Sequence, residues 1–205
     1  MKAHTDNRRV RYTKMFLRES LLELLREKPI KNITVTELCA AADINRGTFY
    51  NYYDDVFDLF EQIEKEFLAE VENSVSGSEL AQKFAGEESA NIDKEIFFEY
   101  ISNILTVIVK NRDLCSILFG PNGDKEFLRN TIYIAHDFYV EKWLRITNDK
   151  KITRRDLDYV YTYLANGSVG IIQDWIYNGM RLPIKDIAEI ISFLTMHGIS
   201  AYITK

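Results

Sequence analysis

Asn45-Arg-Gly-Thr-Phe-Tyr-Asn-Tyr-Tyr53 opens with a residue suited to cap a helix and continues with little that a helix could bury. Helical spacing puts Phe49 and Tyr53 on one side, four residues apart, as an inward pair. Arg46, Thr48, Tyr50, Asn51 and Tyr52 are left with little apolar cover, so a short helix over residues 46–53 is predicted to present them outward. That mixture suits a major groove, because Arg and Asn pair with base edges while Tyr and Thr hydroxyls reach phosphates. Gly47 weakens a helix, which makes sense where a backbone must come close to another molecule. A solvated amphipathic helix carrying surface tyrosines would leave the same pattern, since helix-turn-helix spacing also occurs in proteins that bind no DNA.

Upstream, Thr34-Val-Thr-Glu37 reads as a capping box, with Thr34 accepting from the backbone three residues on and Glu37 reaching back. Val35, Leu38 and Ala42 then face inward on a short second helix ending near residue 42. Asp43-Ile44-Asn45 makes the turn, Ile44 plugs its corner and Asn45 caps the third helix. A first helix is expected over 7–27, where Leu17, Leu21, Leu24 and Leu25 share one face before Pro29 stops it.

Downstream, Asp54 or Asp55 caps a fourth helix whose Phe60, Ile63, Phe67 and Val71 lie on one side. Residues 73–92, with Ser74, Ser76, Gly77, Ser78 and Gly86, are the one linker-like stretch. Further helices are expected near 93–110, 113–119, 124–147, 153–178 and 183–203, the last opened by Pro183. The prediction is an all-α protein of about nine helices. Residues 1–55 form a three-helix helix-turn-helix domain, and residues 56–205 form a second domain in which 56–72 is a connecting helix.

Composition agrees with this outline. In 205 residues there are only nine Gly and three Pro, and 46% of the chain is apolar, a balance that favours long regular elements over disorder or a turn-rich β fold. Net charge is -5, which argues against nucleic-acid binding over the whole surface, yet the charge is unevenly placed. Residues 1–53 carry ten Lys/Arg against six Asp/Glu, whereas residues 54–205 carry sixteen against twenty-five. The positive end is the candidate DNA contact. Cys39 and Cys115 sit in apolar helical surroundings where a buried free thiol is the usual state. With neither an export-like N-terminus nor an uncharged span of membrane length, a cytoplasmic protein without membrane contact is expected.

The segment Thr34-Val-Thr-Glu-Leu-Cys-Ala-Ala-Ala-Asp-Ile-Asn-Arg-Gly-Thr-Phe-Tyr-Asn-Tyr-Tyr-Asp-Asp-Val-Phe-Asp-Leu59 closely resembles the DNA-binding signature of the tetracycline-repressor (TetR) family. The resemblance implies that Thr34 and Thr36 contact phosphate or groove at the start of the second helix. It implies that Asn45, Arg46, Gly47 and Thr48 are base-reading positions, and that Tyr50 and Tyr52 clamp phosphates; Asn51 joins the DNA-binding candidates from its place on the outward face. One departure stands out. The family commonly has a Lys at the start of the fourth helix, where this chain has Val56 behind Asp54 and Asp55. Binding would then lean on Arg8, Arg9, Arg11 and Lys14.

The resemblance also implies an effector cavity among the helices from about 93 to 178, with aromatic rings in its wall. Tyr100, Phe138 and Tyr163 are the chosen effector-binding candidates, although such rings serve equally as core. The helices near 153–178 and 183–203 are expected to form a homodimer interface, with packing inside one chain as the alternative. Leu157, Leu164, Ile171 and Trp175 line one, Ile187, Ile190, Ile191, Leu194 and Gly198 line the other, and Gly167 and Gly170 permit close approach.

The function expected is a sequence-specific DNA-binding transcriptional regulator. It would bind a palindromic double-stranded operator and act as a repressor released by an unknown small-molecule or protein effector. A helical protein-interaction module, or a regulator answering to a protein partner, is the alternative. No enzyme activity, metal or cofactor is expected. His4, His136 and His197 are far apart without ligand spacing, and neither a phosphate loop nor a nucleophile elbow is present.

Overall fold

The structure, a computed structural model, describes residues 2–76, 94–120, 123, 127, 140–141, 143–145 and 151–203; these include eight bounded α-helices, one 3₁₀ turn, further helical residues at 127, 140–141 and 143–145, and no strand. The chain divides into two units, Met1–Leu68 with Gly120–Gly123, and Ala69–Phe119 with Asp124–Lys205.

In the first unit α1 spans Lys2–Glu27. It begins five residues before the expected start, since residues 2–6 hold no Gly or Pro to interrupt it. Leu17, Leu21 and Leu25 are fully buried, as their spacing predicted, and Leu24 is half-buried. A single 3₁₀ turn, Ile30–Asn32, follows Pro29 and leads into α2 (Val35–Ala41). Leu38 and Cys39 are buried there, while Val35 is only half-buried. Then come α3 (Arg46–Phe49) and α4 (Val56–Ser76), the latter beginning in the first unit and continuing beyond Leu68. Phe60, Ile63 and Phe67 form the buried face of α4, and Val71 is half-buried.

The second unit contains α5 (Lys94–Lys110), α6 (Arg112–Leu118), α7 (Arg154–Tyr177) and α8 (Ile184–Ile203). Most of the helix expected over 124–147 lies outside the described residues, but 140–141 and 143–145 are helical. Thr153 and Asp156 form a reciprocal capping box at the head of α7. The Thr153 hydroxyl accepts from the Asp156 N–H at 3.3 Å, and the Asp156 carboxylate accepts from the Thr153 N–H at 2.8 Å. The Thr153 N–H, and then its hydroxyl donating to the same carboxylate at 2.7 Å, hold the Asp156 carboxyl below the usual carboxylate range.

A core of Phe97, Val140, Trp143, Leu157, Tyr161, Ile199 and Ile203 joins α5, α7 and α8. A Cβ on Gly198 would meet Leu164 Cδ2 at 3.0 Å, so this glycine lets α8 press against α7 within one chain. Leu157, Trp175, Ile187 and Ile191, expected on the dimer face, are likewise buried inside the chain. The apolar side chains left on the outer surface of α8 are Ile190, Phe193 and Leu194, and nothing lies within 4 Å of a Cβ built on Gly167 or Gly170. No described helix is long and apolar enough to cross a membrane.

Cys39 and Cys115 are both buried free thiols. Burial pushes the Cys115 thiol up to about 12, with the Glu70 carboxylate adding to the rise, and burial also raises Cys39 against the opposing pull of Arg46. Thiol-specific reagents should therefore modify neither cysteine in the native protein and both in denaturant. Prompt reaction of either native thiol, followed by mass spectrometry, would contradict this packing.

Candidate nucleic-acid interface

The Thr34 side chain caps α2 by accepting from the Glu37 N–H at 3.2 Å, but Glu37 does not reach back to complete the box. Its carboxylate pairs with Lys28 instead, and that bond holds the Glu37 carboxyl below its ordinary range. A tertiary ion pair has thus displaced the local one. Thr34 and Thr36 are both exposed at the start of α2.

Asp43 takes a left-handed conformation, φ 52°, which a short polar residue tolerates, and the chain reverses there into α3. The Asn45 side chain caps α3 by accepting from the Gly47 N–H at 2.7 Å. A Cβ at residue 47 would stand 3.2 Å from that accepting oxygen, so the glycine is explained in part by the cap itself. The α-helix is shorter than the expected 46–53, because it closes at Phe49. After it the backbone tightens to i→i+3 bonds, Asn51 to Thr48 and Tyr52 to Phe49, before Tyr53 returns to Phe49 at 3.1 Å.

Phe49 has no exposed surface and Tyr53 very little, their rings lying 5.7 Å apart. Burial pushes the Tyr53 phenol up, assisted by the Glu66 and Asp58 carboxylates. On the other side of this segment Asn45, Arg46, Gly47, Tyr50 and Asn51 are exposed, and Thr48 and Tyr52 are half-buried. All seven are therefore reachable from solvent on one short stretch of chain.

At the start of α4 the Asp55 side chain accepts from the Asp58 N–H at 2.9 Å, and the Asp58 side chain accepts from the Asp54 N–H at 3.0 Å. Val56 points inward and is buried. Several cations of this unit are spoken for, among them Arg18 by Glu66 at 2.7 Å, Lys65 by Glu61 at 2.7 Å, and Lys28 by Glu37. Arg8, Arg9, Arg11, Lys14 and Arg46 have no carboxylate partner among the described residues, and all are exposed. Arg8 and Arg9, with Tyr12 and Phe16, line a groove between α1 and the turn at Asp43 and Ile44.

The effector candidates fare differently. Tyr100 is half-buried and stacks on Phe97 at 6.2 Å beside the core of the second unit. Phe138 lies outside the described residues. Tyr163 does not line an interior wall: it is 79% exposed, because the inward face of α7 runs through Leu157, Tyr161 and Leu164. Tyr161, absent from the sequence-based candidates, is the ring that turns in, 6.0 Å from Trp143. Its i+4 relation to Leu157 was the available signal. No group of three or more His, Cys, Asp or Glu among the described residues is placed to hold a metal.

A family model of TetR type, described as a transcriptional regulator C-terminal region, matches residues 95–197, half of the chain. The chain is 23% identical over 114 residues to YxbF of Bacillus subtilis (strain 168), described as an uncharacterized HTH-type transcriptional regulator. That match spans 56% of this chain and only 28% of the length of that relative. Among solved structures it is similar to a TetR transcriptional regulator from Streptococcus agalactiae 2603V, with TM-score 0.63, 17% identity, and 94% of this chain and 98% of the other covered. It is equally similar to a TetR-like transcriptional regulator from Rhodococcus sp. RHA1, with TM-score 0.63, 12% identity, and coverage of 92% and 96%. At such identities the likeness is one of fold.

The geometry separates support from surface within a few residues. Phe49→Ala should destabilise the first unit by about 3–5 kcal/mol, the usual cost of emptying a buried ring site. Arg46→Ala should stay within about 0.5 kcal/mol, as for an exposed side chain without partners. Denaturant unfolding of both variants checks this, and equal effects would mean that the segment does not face as described.

Proposed function

The chain belongs to the tetracycline-repressor (TetR) family of transcriptional regulators, and on that footing we propose that it binds a palindromic DNA operator as a homodimer, through the exposed surface of residues 45–53. The observation that carries this reading is the outward set Asn45, Arg46, Gly47, Tyr50 and Asn51 on a turn anchored by buried Phe49 and Tyr53. The Arg46 guanidinium, with no carboxylate partner, suits a guanine edge, and the Asn51 amide suits an adenine. Asn45 uses its carbonyl for the cap and keeps its amide N–H₂ for a base or phosphate. Tyr50, Tyr52, Thr34 and Thr36 are assigned to the phosphate backbone, and Thr48 and Gly47 to the close approach.

In this reading residues 1–55 are the DNA-reading domain and residues 56–205 the regulatory and dimerising one, with 56–72 connecting them. The dimer uses α7 and α8. Support comes from the exposed Ile190, Phe193 and Leu194, and from the groove lined by Gly167, Gly170, Ile171 and Leu182 that reaches Ile190. Two copies related by a two-fold axis would present two reading helices one DNA turn apart, about 34 Å. An effector held among the rings of the second domain, with Tyr100 in its wall, would favour an arrangement of lower operator affinity and so relieve repression.

Selection of bound sequences from random DNA tests the reading directly, and a palindromic consensus is the expected result. On that consensus Tyr50→Ala should weaken binding to most sequences alike, whereas Arg46→Ala should relax preference at one base pair, by about 1–3 kcal/mol. If both variants retain wild-type affinity and preference, the contact assignment is wrong. If no sequence is enriched, the DNA-binding reading is wrong.

A further inference from the structure

We infer that Lys14 is a phosphate-binding residue of this interface, held in position by the rings of Tyr52 and Tyr53; the inference rests on the DNA-binding reading above. The Lys14 ammonium lies 5.7 Å from the centre of the Tyr52 ring and 5.6 Å from that of Tyr53. A cation at that distance is drawn to the negative face of each ring without losing its charge. Lys14 has no carboxylate within reach among the described residues, so its full positive charge faces solvent.

Comparison with its neighbours shows what is distinctive. Arg18, one turn further along α1, is neutralised by Glu66. Arg8 rests on Tyr12 of its own helix. Among the described cations of α1, Lys14 is the one whose ring partners belong to the segment that carries Arg46, Tyr50 and Asn51. Tyr53 is anchored in the core against Phe49, and so the lysine is placed relative to a fixed point rather than left to swing on its stem. A flexible lysine spends conformational freedom when it grips a phosphate, and one already seated on two rings spends less.

The start of α4 leaves the task unfilled. Val56 is buried, the N–H groups of Asp54 and Asp58 are taken by the Asp58 and Asp55 carboxylates, and three carboxylates stand together there. That end repels a phosphate strand. Lys14, which reaches Tyr52 and Tyr53 from α1, supplies the opposite charge next to the proposed phosphate contact of Tyr52.

The test uses the full chain and the selected consensus duplex, with affinity measured by fluorescence anisotropy from about 50 to 200 mM salt, the range over which phosphate contacts are read most clearly. Lys14→Gln should reduce the slope of log K against log salt by about 0.9, one phosphate's share, so that the affinity lost across that range is about 3.5-fold smaller. The same reduction should appear on an unrelated duplex, and Lys14→Arg should keep the wild-type slope. An unchanged slope for Lys14→Gln, or a loss in Lys14→Arg equal to that of Lys14→Gln, overturns the assignment while wild-type binding stands. A wild-type chain that binds no duplex overturns the DNA reading itself, and this assignment with it.

Discussion

A helix of four residues cannot hold itself together, and the rest of the interface depends on how that deficit is met. Nucleating a helical turn fixes several dihedrals for one hydrogen bond, so short helices are marginal without tertiary support. Here α3 is capped at its head by Asn45 and fixed at its foot by Phe49, whose complete burial contributes about 1.5–3 kcal/mol. Tyr53 adds a second buried ring against it. The anchoring leaves the opposite side free of apolar cover, so Arg46, Tyr50 and Asn51 face solvent, as the proposed DNA contact needs.

Electrostatics follow from the same economy of contacts. An acidic chain repels DNA at long range unless positive charge is gathered where contact occurs. The first 53 residues supply that excess, and ion pairs then decide which of its members stay active. Glu66 and Glu37 silence Arg18 and Lys28, while the cations nearer the start of α1, and Arg46, keep their charge. A count of lysines and arginines alone could not have separated the two groups.

Much of the fold was legible because its signals are local. The caps at Thr34 and Asn45, the inward pair Phe49 and Tyr53, and the leucine face of α1 all follow from spacing within one or two turns. What escaped the sequence was set by contacts between elements. Glu37 turned from its own cap to Lys28, nine residues earlier, because the two helices bring those charges together. Along α7 the ring facing inward is Tyr161 and not Tyr163, a choice fixed by helical phase against Trp143. Gly198, expected to face a second copy, serves the packing of α8 on Leu164. The third helix was drawn too long because its second half keeps helical bonds of a tighter kind.

The proposed dimer is tied to the reading of DNA by more than convenience. One short helix touches only a few base pairs, too few to single out a site among the many competitors a genome offers, whereas two related by symmetry double the number read and fix their spacing. Under the proposed reading a second copy supplies that doubling, and the second unit has exposed apolar surface that could receive one. Ile190, Phe193 and Leu194 remain exposed in the single chain, while Gly167 and Gly170 leave room above α7 for another helix to approach. In the proposed dimer the brevity of α3 and the exposed face of α7 and α8 are answered together, the first by being doubled and the second by being covered.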